Sequence, residues 1–542
     1  MKKLRLLSML ALMIAVMLCA NSALACTTFL LGTEATTDGS TIATHNDDST
    51  GADFRLWIIP SMEGGEGIQR DLVMDSHNYG DFGDYPNTKD YGSGTLINQM
   101  DQPEATYAYL HSRYSFINEK GVAMGESTFN YNSYDEGSVY DLLFGKNTGI
   151  IDCWNAQDIA LERAATAREA CEVMGKLCED YGWYDLGETI NVCDGNEAWV
   201  FEAYGQDLWA AVRIPADSFF VAANRARIAE FDFDDTENYI CSPNLKSFAI
   251  EHELWSEDSG EPFSPADIYA PFYDGYSTLR EWRALSLVAP SLGLEPGADR
   301  YPLYVVPEKK LSVRDVFDLA GDYYQGTDYD VSRTAYAGDF GNPLNFNTKN
   351  GWRTINMYRT CYLMLANIKG WLPDELKCLV WYGYGAPHST FITPLWASQS
   401  ELPDFYDHGS RYEKFDRTSG WWINTYVQDL ASRNYDVAIE MIKEARDERF
   451  AAQIEEVSAK QEEWAARIET EHDAVMEELT KYACDTANAW FEDWLDLGDQ
   501  LVTATVWSRV NKDHKISGGG YSDWYKEIMD SAPMKPVEEP EG

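Results

Sequence analysis

Between residues 26 and 114 the chain alternates short apolar runs with loops rich in Gly, Asp and Asn, a pattern of β-strands joined by turns. The runs "TTFLLG" (27–32) and "STIATH" (40–45) flank "TTDGS" (36–40), in which Asp38-Gly39 is a hairpin signal. "RYSFINEKGVAMGEST" (113–128) repeats the pattern around Glu119-Lys120-Gly121. From 155 to 180 the period changes. Ile159, Ala164, Ala167, Cys171, Met174 and Cys178 recur at spacings of three to five, which predicts one helix with Asn155 as its cap. A meander follows in "ETINVCDGNEAWVFEAYG" (188–205), "DLWAAVRIP" (207–215) and "SFFVAANRARI" (218–228), with a turn at Asp194-Gly195. "SVRDVFDLAGDYY" (312–324) and "RTINMYRTCYLMLANIKG" (353–370) read as helical or mixed, "LKCLVWYGYG" (376–385) as a strand, and 421–507 as mainly helical. Strands therefore come in antiparallel sets with helices between the sets, which favours an α+β fold over a doubly wound one.

The first 25 residues stand apart. Lys2, Lys3 and Arg5 precede an apolar run from Leu6 to Ala20, and Ala23 and Ala25 occupy small-residue cleavage positions, as in an export signal. The run is shorter than the ~20 residues of a spanning helix, and no later stretch is apolar enough. The expectation is an exported protein (secreted, periplasmic or associated with the cell surface) without stable membrane insertion. Losing residues 1–25 lowers Lys plus Arg from 43 to 40 against 89 Asp plus Glu, a net charge of about −49. Such a chain repels nucleic acid and anionic lipid, so nucleic-acid partners are excluded. With 45% apolar and 13% aromatic residues, the acidity belongs to the surface of a protein with a large core rather than to disorder. The organisation expected is a signal at 1–25, a main domain at 26–420, a helical region at 421–530 and a disordered tail at 531–542. The alternating charges of 443–479 read as a solvated helical hairpin. No internal repeat is present.

Of the ten cysteines, Cys19 leaves with the signal and Cys26 follows it directly. The other eight allow four disulfides in an exported protein, and their scattered spacing equally allows buried free thiols. No C-x-x-C pair occurs, so no zinc site is expected. Cys26 itself has three readings: a lipid attachment point, half of a disulfide, or a nucleophile that begins the mature chain. The lipoprotein signal wants leucine three places before the cysteine, whereas this chain has Ala23, Leu24, Ala25.

Cleavage after Ala25 would leave Cys26 with a thiol and an α-amine. The reference pKa of an α-amine, about 7.7–8.0, lets a useful fraction act as a base near neutrality. A turn centred on Asp38-Gly39 pairs residues whose numbers sum to about 75–77, so the position across from Cys26 falls near 49–51. The hairpin then returns "THNDD" to the cysteine, with Asp48 placed to orient the amine. An Asn side chain and backbone N–H groups suit the oxyanion. Other hydrolase classes find little support: G-x-S-x-G and H-E-x-x-H are absent, and "FDFDDTEN" lacks the EF-hand spacing.

"CTTFLLGTEATTDGSTIATHNDDS" (26–49) resembles the amino terminus of the cysteine-dependent dipeptidases, amino-terminal-nucleophile (Ntn) hydrolases related to choloylglycine hydrolases and penicillin V acylases. The likeness continues through "GVAMGESTF", residues 188–228, "YSTLREWRALSLVAPS" and residues 353–396, covering most of 26–400. It implies a four-layer αββα sandwich, activation by exposure of the amino-terminal cysteine, a short-peptide substrate, and no metal or other cofactor; a homo-oligomer stays open. Cys26 matches the nucleophile, Asp48 the aspartate near its amine, and Asn224 an oxyanion donor. Arg280 matches an active-site arginine, with Arg283 as the alternative register. A second oxyanion asparagine falls near Thr128, a departure. His45 stands where the family usually has arginine, ahead of Asn46, and Glu126 is assigned to binding a substrate amine or supporting the site. The activity implied is hydrolysis of dipeptides or short peptides through a thioester. The alternatives are an amidase or acylase acting on non-peptide acyl amides, and an exported binding protein on a degenerate hydrolase fold.

Overall fold

The computed structural model describes residues 26–49, 55–74, 95–346, 352–407, 409, 414–505 and 521–531. Residues 1–25, expected to be a signal, lie outside the described residues, as does the tail expected at 531–542 apart from Ser531, which ends the helix Asp523–Ser531. Helices and antiparallel strands are intermixed as an α+β fold. A seven-stranded sheet runs Tyr304–Val305, Phe219–Ala222, Thr28–Leu31, Thr41–Asp47, Tyr362–Ile368, Leu379–Tyr384, Thr393–Trp396. The eight-stranded sheet has Ala123–Thr128, Glu188–Cys193 and Ala198–Gly205 among its inner strands. Thr28–Leu31 and Thr41–Asp47 face Ala123–Thr128 and Glu188–Cys193 across the interface between the sheets. Helix Ala167–Tyr181 packs on the eight-stranded sheet. Helices Gly275–Val288, Val313–Ala320, Gly420–Ala431 and Ile468–Thr505 pack on the seven-stranded one.

The first hairpin is real, but its register differs from the one expected. Leu30 faces Ala43, Leu31 faces Ile42 and Thr27 faces Asn46, so partners sum to 73 and Cys26 comes level with Asp47. The cause is a nine-residue connection, 32–40, in place of a two-residue turn. Asp38 accepts from the backbone N–H and hydroxyl of Ser40, and Thr36 donates to Ser40 O and bridges to Leu311, which moves the loop centre toward the first strand. The hairpins at Glu119-Lys120-Gly121 and Asp194-Gly195 form where expected.

The predicted helix 155–180 is two helices, Cys153–Arg163 and Ala167–Tyr181. Asp152, not Asn155, caps the first by accepting from Asn155 N, because an aspartate three residues upstream reaches that N–H first. Thr166 caps the second, and Asp194 also accepts from Ala167 N, tying the helix start to the meander turn. The stretch 353–370, read as helical or mixed, contains the central strand Tyr362–Ile368. It is buried on both faces, so its side chains show no alternation to read. None of the nine described cysteines forms a disulfide. Cys171 and Cys178 lie two helical turns apart, beyond disulfide reach.

The helices after residue 420 share the main core: Trp490 stacks on Phe391 and Trp464 meets Trp396 edge-on. No helix of the described residues is long and apolar enough to cross a membrane.

The two sheets approach closely at Gly125. A Cβ there would lie 2.4 Å from Thr44 O and 2.9 Å from the Cβ of His45. That contact seats Glu126 beside the second strand. Gly125→Ala forces the strands apart and lowers unfolding free energy by about 1–3 kcal/mol. An unchanged midpoint and slope in denaturant unfolding would contradict this close-approach role.

Candidate active site around Cys26

Cys26 is fully buried just ahead of the first strand. Its thiol donates to Glu126 Oε1 at 3.0 Å, and His45 Nε2 lies 3.2 Å from the same oxygen. The Tyr362 hydroxyl is 3.3 Å from His45 Nδ1 and 3.4 Å from Tyr114 O. The rings of Tyr114 and Tyr362 meet the imidazole edge-on and fix its plane.

On the other side stand two buried arginines. Arg280, from helix Gly275–Val288, donates to Cys26 O at 2.7 Å, Thr27 Oγ1 at 2.9 Å, Ala223 O at 3.1 Å and Asn224 Oδ1 at 2.9 Å. Burial and the neighbouring Arg353 push its pKa down to about 9. Arg353 pairs with Asp48, whose other oxygen accepts from the Thr360 hydroxyl at 2.5 Å. The same guanidinium reaches Thr27 Oγ1 at 3.3 Å, so Asp48 is joined to the cysteine through one residue.

Asn224 sits at φ 60°, a left-handed conformation that Asn tolerates better than most residues. Its backbone N–H donates to Ser127 Oγ at 2.7 Å and its side-chain Nδ2 to Thr128 O at 3.0 Å. The following residues are locked by a buried ion cluster. Arg225 and Arg227 both pair with Glu281, whose carboxyl they hold below its ordinary pKa against the effect of burial. Helix Gly275–Val288 therefore supplies Arg280 to the site and, one residue on, the anchor of the Asn224 segment.

Thr128 is not aimed as the missing asparagine would be: its hydroxyl lies 3.4 Å from Glu126 Oε2 as a donor. Asn46 is separate from the cluster. Its backbone N–H pairs with Thr27 O, and its carboxamide makes no hydrogen bond among the described residues. It follows His45 on one strand, so the two side chains point to opposite faces. Arg283 pairs with Asp322 at 2.8 Å, which leaves Arg280 as the arginine of the site. The sequence reading missed Arg353, Thr360, Tyr362 and Glu188. The first three lie in the stretch whose strand carried no periodic signal.

The acids divide by environment. Burial opposes ionisation of Glu126, yet the hydrogen bond and charge of His45, together with donation from Glu188 and Cys26, hold its pKa below normal. Burial and the Glu126 charge raise Glu188 well above normal, so Glu188 keeps the proton of the pair. Burial, Glu126, Asp47 and Asp48 likewise raise the Cys26 thiol. Burial pushes Asp47 up to about 6, offset in part by His45 and Arg113. The folded state thus binds a proton at Asp47 more tightly than the unfolded chain does. Its contribution is present below about pH 4 and lost as pH rises through 6. Asp47→Asn removes up to about 3 kcal/mol of that fall, read as a flatter stability profile between pH 4 and 6 in denaturant unfolding. A profile parallel to that of the unsubstituted protein would rule it out.

A buried thiol between a carboxylate and a carboxylate-free guanidinium is an arrangement for thiol chemistry, and comparison with known proteins agrees. The profile of Peptidase family C69 matches residues 25–448. A "Probable dipeptidase A" of Streptococcus pyogenes serotype M3 (strain SSI-1) is 27% identical over 429 residues, 76% of this chain and 84% of that protein. A "Dipeptidase" of Bifidobacterium longum (strain NCC 2705) is 26% identical over 450 residues, 78% of this chain and 80% of that protein. The "Dipeptidase A" of Lactobacillus helveticus is 26% identical over 449 residues, covering 80% and 87%. A family match reaching from Ala25 into helix Tyr435–Ala465 leaves one assignment: the chain belongs to peptidase family C69 and is a hydrolase of the cysteine-type dipeptidase class.

Proposed function

We propose that this chain is an exported dipeptidase with the four-layer αββα sandwich of the Ntn hydrolases, activated when signal cleavage makes Cys26 the first residue. The facing sheets with helices packed on each support the sandwich. The observation that carries the mechanism is the Arg280 guanidinium, which holds Cys26 O and Asn224 Oδ1 together. It fixes the nucleophile and the oxyanion donor in one frame.

In the reaction the Cys26 α-amine takes the thiol proton, and Sγ attacks the scissile carbonyl of the dipeptide. The oxyanion is met by Asn224 in the field of Arg280, a buried cation with no carboxylate among its hydrogen-bond partners. The proton passes to the leaving amine, the C–N bond breaks, and a thioester remains. Water then hydrolyses the thioester and returns the proton to sulfur. Asp48, held by Arg353 and Thr360, orients the amine. The raised thiol pKa keeps Cys26 protonated at rest, so the thiolate is generated only when a base and substrate are present together. Glu126 is a poor resting base for that thiol, since its own pKa is lowered. It holds the thiol and a substrate ammonium instead.

Two measurements test this reading. The intact mass of the exported protein should correspond to a free terminus at Cys26; a lipid-modified or differently placed terminus refutes activation by signal removal. Cys26→Ala should lower dipeptide turnover by at least about a thousandfold, with Cys26→Ser retaining a small residue of activity. Full activity in the alanine variant would eliminate the thioester route.

A further inference from the structure

Cys26 Sγ, His45 Nε2 and one Glu126 carboxylate oxygen all lie within 4.8 Å of one another, and none of the three residues is exposed. Sγ and Nε2 stand 3.0 and 3.2 Å from the same oxygen, Oε1. A tetrahedral zinc ion with ordinary S, N and O bond lengths has ligand edges of roughly 3.4–3.6 Å. The two edges to Oε1 fall a few tenths of an ångström short of that, and the third pair, Sγ and Nε2, lies within 4.8 Å. We propose that these three side chains bind a borderline-soft divalent cation, zinc above all, and that its occupancy silences the nucleophile.

Four observations carry the assignment. The donor set of thiolate, imidazole and carboxylate is one that zinc prefers. His45 Nε2 is buried and aimed at the Glu126 carboxylate, 3.2 Å from Oε1. The outer contacts of a metal site are already built. Tyr362 faces His45 Nδ1, the Thr128 hydroxyl meets Glu126, and Arg280 fixes Cys26 O. Finally, thiolate and carboxylate together carry two negative charges, which a divalent ion neutralises. Arginine, the residue the resemblance leads one to expect at 45, has no lone pair to offer and repels a cation. Histidine converts the same position into a ligand.

Binding involves no redox change. The S–H bond breaks, an S–Zn bond forms, and the proton leaves to solvent; the bound thiolate no longer attacks a carbonyl. The inhibition rests on the proposed role of Cys26, whereas the binding does not.

Cobalt(II) is the probe, because thiolate coordination gives a charge-transfer band independent of turnover. One equivalent of Co²⁺ should produce that band with tetrahedral d–d absorption, be displaced by Zn²⁺, and release protons on binding. Cys26→Ser should abolish the band. His45→Arg should weaken binding at least about tenfold, since loss of an outer partner alone costs 10–100-fold. Cys153→Ser should leave the band intact; it tests the other described trio, Cys153, Asp185 and Glu188, which lacks a nitrogen donor. In the unsubstituted protein, stoichiometric Zn²⁺ should protect Cys26 from alkylation, mapped by peptide mass, and should reversibly stop dipeptide hydrolysis. Absence of the band, or a band that follows Cys153 instead of Cys26, overturns the site. An active Cys26→Ala variant would instead overturn the nucleophile and leave the metal site standing.

Discussion

The site depends on one buried guanidinium. Among the described residues Arg280 has no carboxylate as a hydrogen-bond partner; its donors go to two carbonyls, a hydroxyl, an amide oxygen and its own helix. Burying a cation in this way is expensive and is tolerated only when its hydrogen bonds are satisfied. In return the arginine ties the start of the chain, the Asn224 segment and helix Gly275–Val288 into one frame. Glu281 completes the frame from the same helix by clamping Arg225 and Arg227.

Charge is separated across Cys26. Arg280 and Arg353 lie on the side of its carbonyl, and Glu126 with the protonated Glu188 on the side of its thiol. The acids hold the sulfur in its resting state. In the proposed reaction the arginines provide a positive field where negative charge would develop. His45 stands on the acidic side of this division, where an imidazole replaces the permanent charge and fixed fork of donors an arginine would bring. The same substitution therefore bears on catalysis and on cation binding.

How the two sheets meet explains why so much chemistry fits a small volume. Gly125 lets the strand of Glu126 approach the backbone of Thr44, and any side chain there would hold the acid away from the cysteine. The long carboxy-terminal helices add no described residue to the cluster around Cys26. Their tryptophans bury the edge of the seven-stranded sheet instead, which supports the strand that carries Tyr362 from one sheet neighbour away.

By itself the sequence determined the α+β class, the local hairpins, the unusual place of Cys26, and, through motif resemblance, Asp48, Asn224 and Arg280. These are legible because turn chemistry, strand alternation and short contiguous motifs act over a few residues. Only the tertiary structure decided the register of the first hairpin, since a nine-residue loop sets its own centre through Thr36, Asp38 and Leu311. The break between the two helices at 164–166 is fixed by Thr166 and Asp194, which cap different N–H groups at the start of the second helix and which helical periodicity does not record. Tyr362 was hidden in a strand buried on both faces, and Arg353 and Thr360 in the irregular segment that leads into it. The Cys26–His45–Glu126 trio was invisible for a related reason. Its members are up to 100 residues apart, and a search for ligand spacing finds only sites that one local segment builds.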